Sequence, residues 1–210
     1  GWPVAHSRSP AIHNHWIRQY NLNGAYGLFP VEPGNVETAI RGIRALGLAG
    51  CNITIPHKVE AMAYMDWVDP LAKRMGAINT IVVNPDGALH GFNHDGFGYL
   101  KSLHEAQPNW RADTGPIVIL GAGGAARAIV VCLIDAGATE IRILNRSPDK
   151  AKELAAEFDK QVTALDWSER HDALTDAALL INTTNQGMHG QPALDIELTQ
   201  LPITALVSDA

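Results

Sequence analysis

The sequence predicts an α/β protein in two parts, residues 1–94 and 95–210. Three observations carry the prediction. From Pro116 onward, short apolar runs alternate with helix-forming stretches in strict succession, which specifies a parallel sheet with helices on both faces. One such run, Pro116-Ile117-Val118-Ile119-Leu120, enters the glycine turn Gly121-Ala122-Gly123-Gly124-Ala125-Ala126 and emerges as a helix, the opening of a βαβ unit. After a helix that follows Asp95, Pro108-Asn109-Trp110 reads as a loop, beyond which the nucleotide-type alternation begins.

In chain order, Pro10 is placed for the first helical position with Ser9 as N-cap, and Ile12, Trp16, Ile17 and Tyr20 share one face. Gly24 to Val31 is expected as a strand. Val36 to Leu46 forms an amphipathic helix with Val36, Ile40, Ile43 and Leu46 inward, and Ala49 to Ile55 forms a buried strand that ends at Pro56. Helical segments follow at Lys58–Met65 and Pro70–Met75. The runs Ile78–Val83 and Ala88–Phe92 flank Asn84-Pro85-Asp86-Gly87, whose turn chemistry makes them a β-hairpin. A helix through Tyr99, Leu100 and Leu103 starts after Asp95. Past the glycine turn, strands are expected at Ile141–Leu144, Val162–Leu165, Ala178–Ile181 and Ala205–Val207, with helices at 150–158 and near Ser168–Leu174.

Composition bounds the function. The chain has 210 residues, 46% hydrophobic and 18% charged, and a net charge of −6, an ordinary globular balance able to bury a core. Residues 1–94 carry seven Lys/Arg against six Asp/Glu and residues 95–210 nine against sixteen, so neither half offers a basic face for nucleic acid. The stretch from Pro116 to Ala138 is apolar but broken by its glycines, Arg127 and Asp135, which makes it strand plus helix rather than a membrane span. Cys51 and Cys132 form neither a CxxC pair nor a disulfide framework, so a cytoplasmic setting is expected, and the partners expected are small molecules acting on a monomer or homodimer. The nine histidines form no metal-binding pattern. Gly1-Trp2-Pro3 reads as a clipped start, and Ser208-Asp209-Ala210 as a stop at a strand end.

The glycine turn is a place for a phosphate, because the helix that follows turns its first N–H groups and the positive end of its dipole toward one point. Gly121 permits the tight turn, Gly123 removes a Cβ that would hold a pyrophosphate away, and Ala126 lets the helix pack on its strand: a Rossmann-like G-x-G-x-x-A pattern. About twenty residues on, where NAD sites place an acid, the chain has Asn145, Arg146 and Ser147, with Lys150 one turn later. Arg offers a planar fork and Lys a movable charge for a 2′-phosphate, so NADP is the expected cofactor.

In the first half, Asn52-Ile53-Thr54-Ile55-Pro56-His57-Lys58 is expected to bury Ile53 and Ile55 and to project Asn52, Thr54 and Lys58 at the strand's end. A lysine in a cleft can exchange a proton with a substrate oxygen. Asp95, in Gly91-Phe92-Asn93-His94-Asp95-Gly96-Phe97-Gly98, is expected as an N-cap in a narrow place of close backbone approach, able to orient a hydroxyl or an ammonium. Asn79-Thr80 adds an amide, or else an ordinary edge-strand pair.

SRSP at 7–10, NITIPHK at 52–58, GAINT at 76–80, GFNHDGFG at 91–98, GAGGAAR at 121–127, NRS at 145–147 and NTTNQGM at 182–188 run in order along nearly the whole chain, and together they resemble the shikimate dehydrogenase family. The resemblance implies an N-terminal substrate domain, a nucleotide domain, and NADPH-dependent reduction of 3-dehydroshikimate to shikimate. It further implies that Ser7 and Ser9 bind the substrate carboxylate, that Thr54, Asn79 and Asp95 bind its hydroxyls, and that Lys58 is the acid/base paired with Asp95. On the cofactor side it implies Gly121, Ala122, Gly123, Gly124 and Ala125 at the pyrophosphate, Asn145, Arg146, Ser147 and Lys150 at the 2′-phosphate, and Thr183 and Ala210 near the rest of the dinucleotide. His94 departs from the threonine the family pattern places before the aspartate. The family's C-terminal return helix, which brings back a substrate-binding glutamine, lies beyond this sequence, so the 210-residue chain alone is expected to be poorly active. A quinate/shikimate dehydrogenase using NAD(P), with Asp149 close to the ribose site leaving NAD open, and a non-catalytic binding module are the alternatives.

Overall fold

A computed structural model of the chain describes residues 1–158, 160–188 and 190–210. Its elements are α1 (Ser9–Gln19), α2 (Val36–Ala45), β1 (Gly50–Asn52), β2 (Trp67–Val68), α3 (Pro70–Met75), β3 (Thr80–Val83), β4 (Leu89–Phe92), α4 (Asp95–Ala106), β5 (Ile117–Leu120), α5 (Gly124–Asp135), β6 (Ile141–Leu144), α6 (Pro148–Ala156), β7 (Val162–Leu165), β8 (Leu179–Asn182) and β9 (Leu206–Asp209). Two compact units result: Gly1–Pro70 with Ala77–Phe92, and Leu71–Gly76 with Asn93–Ala210.

The first unit holds a four-stranded sheet in the order β1-β3-β4-β2, in which β1/β3 and β3/β4 are antiparallel and β2 runs parallel to β4. The β3–β4 hairpin closes as its residues dictate: Gly87 takes φ +84°, its N–H reaches the Asn84 carbonyl, and Asp86 Oδ1 accepts from the Ala88 N–H. Val36, Ile40 and Ile43 of α2 are buried at helical spacing, whereas Leu46, expected on the same face, is 70% exposed because the helix ends at Ala45.

Other expectations fail in this unit. Gly24–Val31 is extended but forms no strand: its bonds go instead to Gly1, whose carbonyl accepts from the Val31 N–H, and to the Asn14 side chain. The segment after Lys58 becomes a 3-10 turn, Glu60–Tyr64, and the short strand β2 was not foreseen. Among the described residues α1 buries no side chain, so Ile12, Trp16 and Tyr20 lie open, and polar contacts anchor the helix: Asn14 clamps the Tyr26 backbone through Nδ2 to its carbonyl (2.8 Å) and Oδ1 from its N–H (2.9 Å).

The second unit is a five-stranded, wholly parallel sheet ordered β7-β6-β5-β8-β9. Its central strand β5 is buried on both sides and sorts its side chains by alternation: Ile117 and Ile119 join a core with α4, α5 and α6, while Val118 and Leu120 join one on the opposite face. That opposite face is closed by two 3-10 turns, Trp167–Glu169 and Asp172–Leu174, and by Leu194, Ile196 and Leu201, so the helix expected near Ser168–Leu174 is absent. A local competitor explains this: Asp166 accepts from the Ser168 N–H while Glu169 accepts from the Asp166 N–H, closing a capping box around a single turn.

Arg142 projects from β6 onto the second face and ties it down, donating to Asp176 Oδ1 (2.5 Å), the Ala173 carbonyl (2.9 Å) and Glu140 Oε1 (2.7 Å). The hydrogen bond from Arg142 holds the Asp176 carboxyl below the ordinary carboxylate range. A lowered folded-state pKa contributes stability that is complete above the unfolded value and is lost as pH falls through the folded one. Asp176→Asn should therefore flatten the acid limb of a stability–pH curve below about pH 4. The change will be modest because the Asp176 side chain is 60% exposed. Urea midpoints measured down the acid range check it; parallel acid limbs for the two proteins would contradict it.

Gly96 is required by packing. A Cβ there would stand 2.4 Å from the Ala128 carbonyl oxygen and 2.5 Å from Cys132 Sγ, where α4 crosses α5. Gly96→Ala should cost about 1–3 kcal/mol through overpacking, read as a lowered denaturation midpoint; an unchanged midpoint would refute so close a crossing.

Candidate active site

In the second unit the expected cofactor residues gather at one edge. The register pairs Leu120 with Leu144 and with Asn182, so Gly121, Asn145 and Thr183 all follow the carboxyl ends of adjacent strands, and the Ala210 N–H bonds to the Asn182 carbonyl at 3.0 Å. The chain leaves β5 for β6 on one side and later enters β8 on the other, which makes the β5/β8 boundary the topological switch point where doubly wound sheets bind ligands.

The glycines of the turn divide by cause. Gly121 has φ +109°, and a Cβ on it would meet Thr183 Oγ1 at 2.4 Å, so the fold itself demands glycine there. Thr183 is held in that position by its hydroxyl and its N–H, which both donate to the Leu120 carbonyl at 2.8 Å. Gly123 has φ −90° and a Cβ on it would touch nothing within 4 Å, so neither backbone nor packing asks for glycine. It is the N-cap of α5 without a side-chain cap, and an added Cβ would stand in the mouth of the turn, where a pyrophosphate must approach the helix N–H groups. Those features fit a dinucleotide.

Arg127, the last residue of the GAGGAAR stretch, turns away: its Nη1 donates to Glu157 at 2.7 Å and 2.9 Å, fastening α5 to the end of α6. The unit holds six arginines, and Arg74, Arg111, Arg127, Arg142 and Arg170 each pair with a carboxylate. Arg146 is exposed and makes no ion pair with any described residue. The turn beneath it is set by Asn145 Nδ2, which donates to the Ser147 carbonyl at 2.9 Å, and Ser147 is the N-cap of α6, which carries Lys150. Asn145, Arg146, Ser147 and Lys150 thus stand together at the end of β6, as a 2′-phosphate site needs.

In the first unit, Thr54 and Lys58 follow β1 in the chain, Asn79 immediately precedes β3, which pairs with β1, and Ser7 and Ser9 lie at the start of α1, with the local details altered. Ser9 is the first residue of α1 rather than its N-cap, a position held by Arg8 without a side-chain capping bond, and Ser7 Oγ accepts from the Ser9 N–H at 3.3 Å. β1 stops at Asn52, Ile55 is 47% exposed rather than buried, and Thr54 and Lys58 lie on a turn in which the His57 N–H bonds to the Thr54 carbonyl. His57 is buried and pins the turn through Nε2 to the Val31 carbonyl at 2.7 Å, while the Lys58 carbonyl accepts from the Ile78 N–H at 2.8 Å. Asn79 is not on an edge: its carbonyl accepts from Ile53 and its N–H donates to Phe92, between β1 and β4. Asp95, in the second unit, is the first helical residue of α4, after His94 as N-cap, and its N–H bonds to Asn93 Oδ1 at 2.9 Å. Of the glycines near Asp95, Gly96 packs against α5 and Gly91 against Met65 and Ile78, whereas a Cβ on Gly98 would meet nothing within 4 Å.

Sequence reasoning missed Tyr26. Its hydroxyl donates to Asn52 Oδ1 at 2.7 Å, and the His13 ring stacks on it at 4.2 Å. A tyrosine inside an expected strand carries no local signal of such a role. Among the described residues no group of His, Cys, Asp and Glu could hold a metal, and both cysteines are free thiols, with burial pushing Cys51 up to about 11.

A family model for the shikimate dehydrogenase substrate binding domain matches residues 1–81, and one for shikimate / quinate 5-dehydrogenase matches residues 104–189. The NADP(+) shikimate dehydrogenase of Paramagnetospirillum magneticum is 49% identical over 209 residues, covering 100% of this chain and 76% of its own. The crystal structure of shikimate dehydrogenase from Aquifex aeolicus superposes with a TM-score of 0.88 at 33% identity, covering 100% of this chain and 76% of that one. The Thermus thermophilus shikimate 5-dehydrogenase in complex with NADP(H) and shikimate gives 0.84 at 34% identity, with the same coverage. A family model in each half, close relatives along the whole chain, and a parallel sheet with a glycine turn at its switch point establish that this chain belongs to the shikimate dehydrogenase family.

Proposed function

We propose that the chain catalyses the reversible NADPH-dependent reduction of 3-dehydroshikimate to shikimate, in the cytoplasm and within the route to aromatic amino acids. The observation that carries this reading is Arg146 at the end of β6, which makes no ion pair with any described residue, in a chain that also keeps Ser7, Ser9, Thr54, Lys58, Asn79 and Asp95 in the order of the family motifs.

Gly121 to Ala125 hold the pyrophosphate, and Asn145, Arg146, Ser147 and Lys150 hold the 2′-phosphate, with Thr183 and Ala210 against the remainder of the dinucleotide. Bound NADPH supplies the hydride. Ser7 and Ser9 donate to the substrate carboxylate, and Thr54, Asn79 and Asp95 fix the ring through its hydroxyls, so the reacting carbon is presented in one orientation. As negative charge grows on the carbonyl oxygen, the Lys58 ammonium stabilises it and then donates the proton that completes the alcohol; Asp95 keeps that ammonium in place. In the oxidative direction Lys58 takes the proton back.

Initial rates of the full-length protein with shikimate and with quinate, each with NADP and with NAD, followed at the nicotinamide absorbance band, test the reading. Fastest turnover with shikimate and NADP is expected. A preference for quinate with NAD would transfer the chain to the quinate-type activity, and no turnover with any pair would make it a binding module.

A further inference from the structure

We infer that Asn182 is a positioning residue for the nicotinamide end of the dinucleotide, through a hydrogen-bond hub that makes the turn after β8 and the end of β9 one piece; this rests on the placement of Thr183 and Ala210 against the cofactor made above. Asn182 is the last residue of β8 and, although polar, is only 6% exposed. Its Oδ1 accepts from the Thr184 N–H at 3.0 Å and from the Thr184 hydroxyl at 2.7 Å, while its Nδ2 donates to the Gln186 carbonyl at 3.3 Å and to Asp209 Oδ1 at 3.2 Å. Thr184 Oγ1 in turn accepts from the Gln186 N–H at 3.1 Å, and the Asn182 main-chain carbonyl accepts from the Ala210 N–H.

The sense of these bonds is fixed by main-chain groups that cannot exchange roles. The Thr184 N–H can only donate, so the amide edge facing it is the oxygen. The Gln186 carbonyl can only accept, so the other edge is the NH2. Because the Gln186 N–H points at the threonine oxygen, the hydroxyl proton is left for Asn182. Two acceptor positions and two donor positions of the carboxamide are thereby all used, which is what offsets the cost of burying it. An aspartate of the same shape would bring no donor to Gln186 and Asp209.

What the hub holds lies where the second half of a dinucleotide must pass. The glycine turn after β5 takes the pyrophosphate and the end of β6 takes the 2′-phosphate, so the remaining half runs the other way across the switch point, over the ends of β8 and β9. Thr183 is tied to β5 by its own bonds to the Leu120 carbonyl. The turn beyond it, Thr184 to Gln186, and the end of β9, Asp209 and Ala210, are joined to each other through Asn182. Asn182 is buried and acts through these neighbours, keeping Thr183 and Ala210 at a fixed separation beneath the nicotinamide.

The test is calorimetric titration of the full-length protein with NADPH and with 2′-phospho-ADP-ribose, which keeps the pyrophosphate and the 2′-phosphate and lacks the nicotinamide. Asn182→Asp keeps the shape and turns the donor edge into an acceptor facing two acceptors. NADPH binding is expected to weaken about 5- to 30-fold, with 2′-phospho-ADP-ribose binding within about twofold of wild type. Asp209→Ala cuts one link of the hub at an exposed residue, where no cavity opens, and should weaken NADPH binding alone, by about three- to tenfold. Equal weakening toward both ligands, or unchanged NADPH binding, in either variant that folds would overturn the inference while leaving the cofactor assignment intact. Wild-type protein that binds NADPH no more tightly than 2′-phospho-ADP-ribose would mean that nothing grips the nicotinamide end, and would overturn both.

Discussion

Lys58→Ala is expected to lower turnover by about 10²- to 10⁴-fold while the KM for shikimate changes little. The reduced ring arrives with its hydroxyls held by other groups, so the loss of Lys58 removes an interaction that is made chiefly as charge develops on the oxygen. The structure gives this lysine a fixed base: its carbonyl accepts from the Ile78 N–H, and the neighbouring His57 anchors the turn to Val31. Lys58→Arg separates charge from proton transfer, because a guanidinium keeps the positive charge but does not release its proton at working pH. It should be nearly as inactive as Lys58→Ala. Turnover near wild type in either variant would take Lys58 out of the chemistry.

Arg146→Ala should weaken NADPH binding by about 10- to 100-fold and leave NADH binding unchanged, since a hydrogen bond to a charged partner is worth about 1.5–3 kcal/mol and the 2′-phosphate is absent from NADH. The contrast with the other arginines of that unit supports the size of the effect. Arg127 and Arg142 have side chains only 16% and 17% exposed and are committed to Glu157 and to Asp176 and Glu140, so their loss would register in stability. Arg146 is exposed and committed to no carboxylate among the described residues, so its loss should register in cofactor choice and leave the denaturation midpoint in place. Cofactor titrations with NADPH and NADH decide it; equal weakening of both would place Arg146 outside the 2′-phosphate site.

The second unit was the more legible in sequence because its signals are local. Ile117 to Leu120 is apolar throughout because β5 is covered on both sides, and Gly121 takes φ +109°, a conformation that favours glycine in the turn itself. The Asn84 to Gly87 turn was legible for the same reason. The errors arose where a partner distant in sequence decides the outcome. Gly24 to Val31 has strand-forming residues, but its bonds go to Gly1, Asn14 and His57 rather than to a ladder. The close backbone approach expected around Asp95 is that of Gly96 to Ala128 on α5. The Tyr26 hydrogen bond was invisible because its partner, Asn52, lies twenty-six residues away and no periodicity connects them.

The central claim is that Lys58 and Asp95 act together on the oxygen that is reduced, with the substrate carboxylate held by Ser7 and Ser9. A crystal structure of the full-length protein with NADP and shikimate measures this directly. The account predicts the Lys58 ammonium and the Asp95 carboxylate both within hydrogen-bonding distance of the hydroxyl nearest the nicotinamide, and the ring carboxylate on the two serine hydroxyls. Shikimate bound with its carboxylate elsewhere, or with a group other than Lys58 at the reacting oxygen, would contradict it.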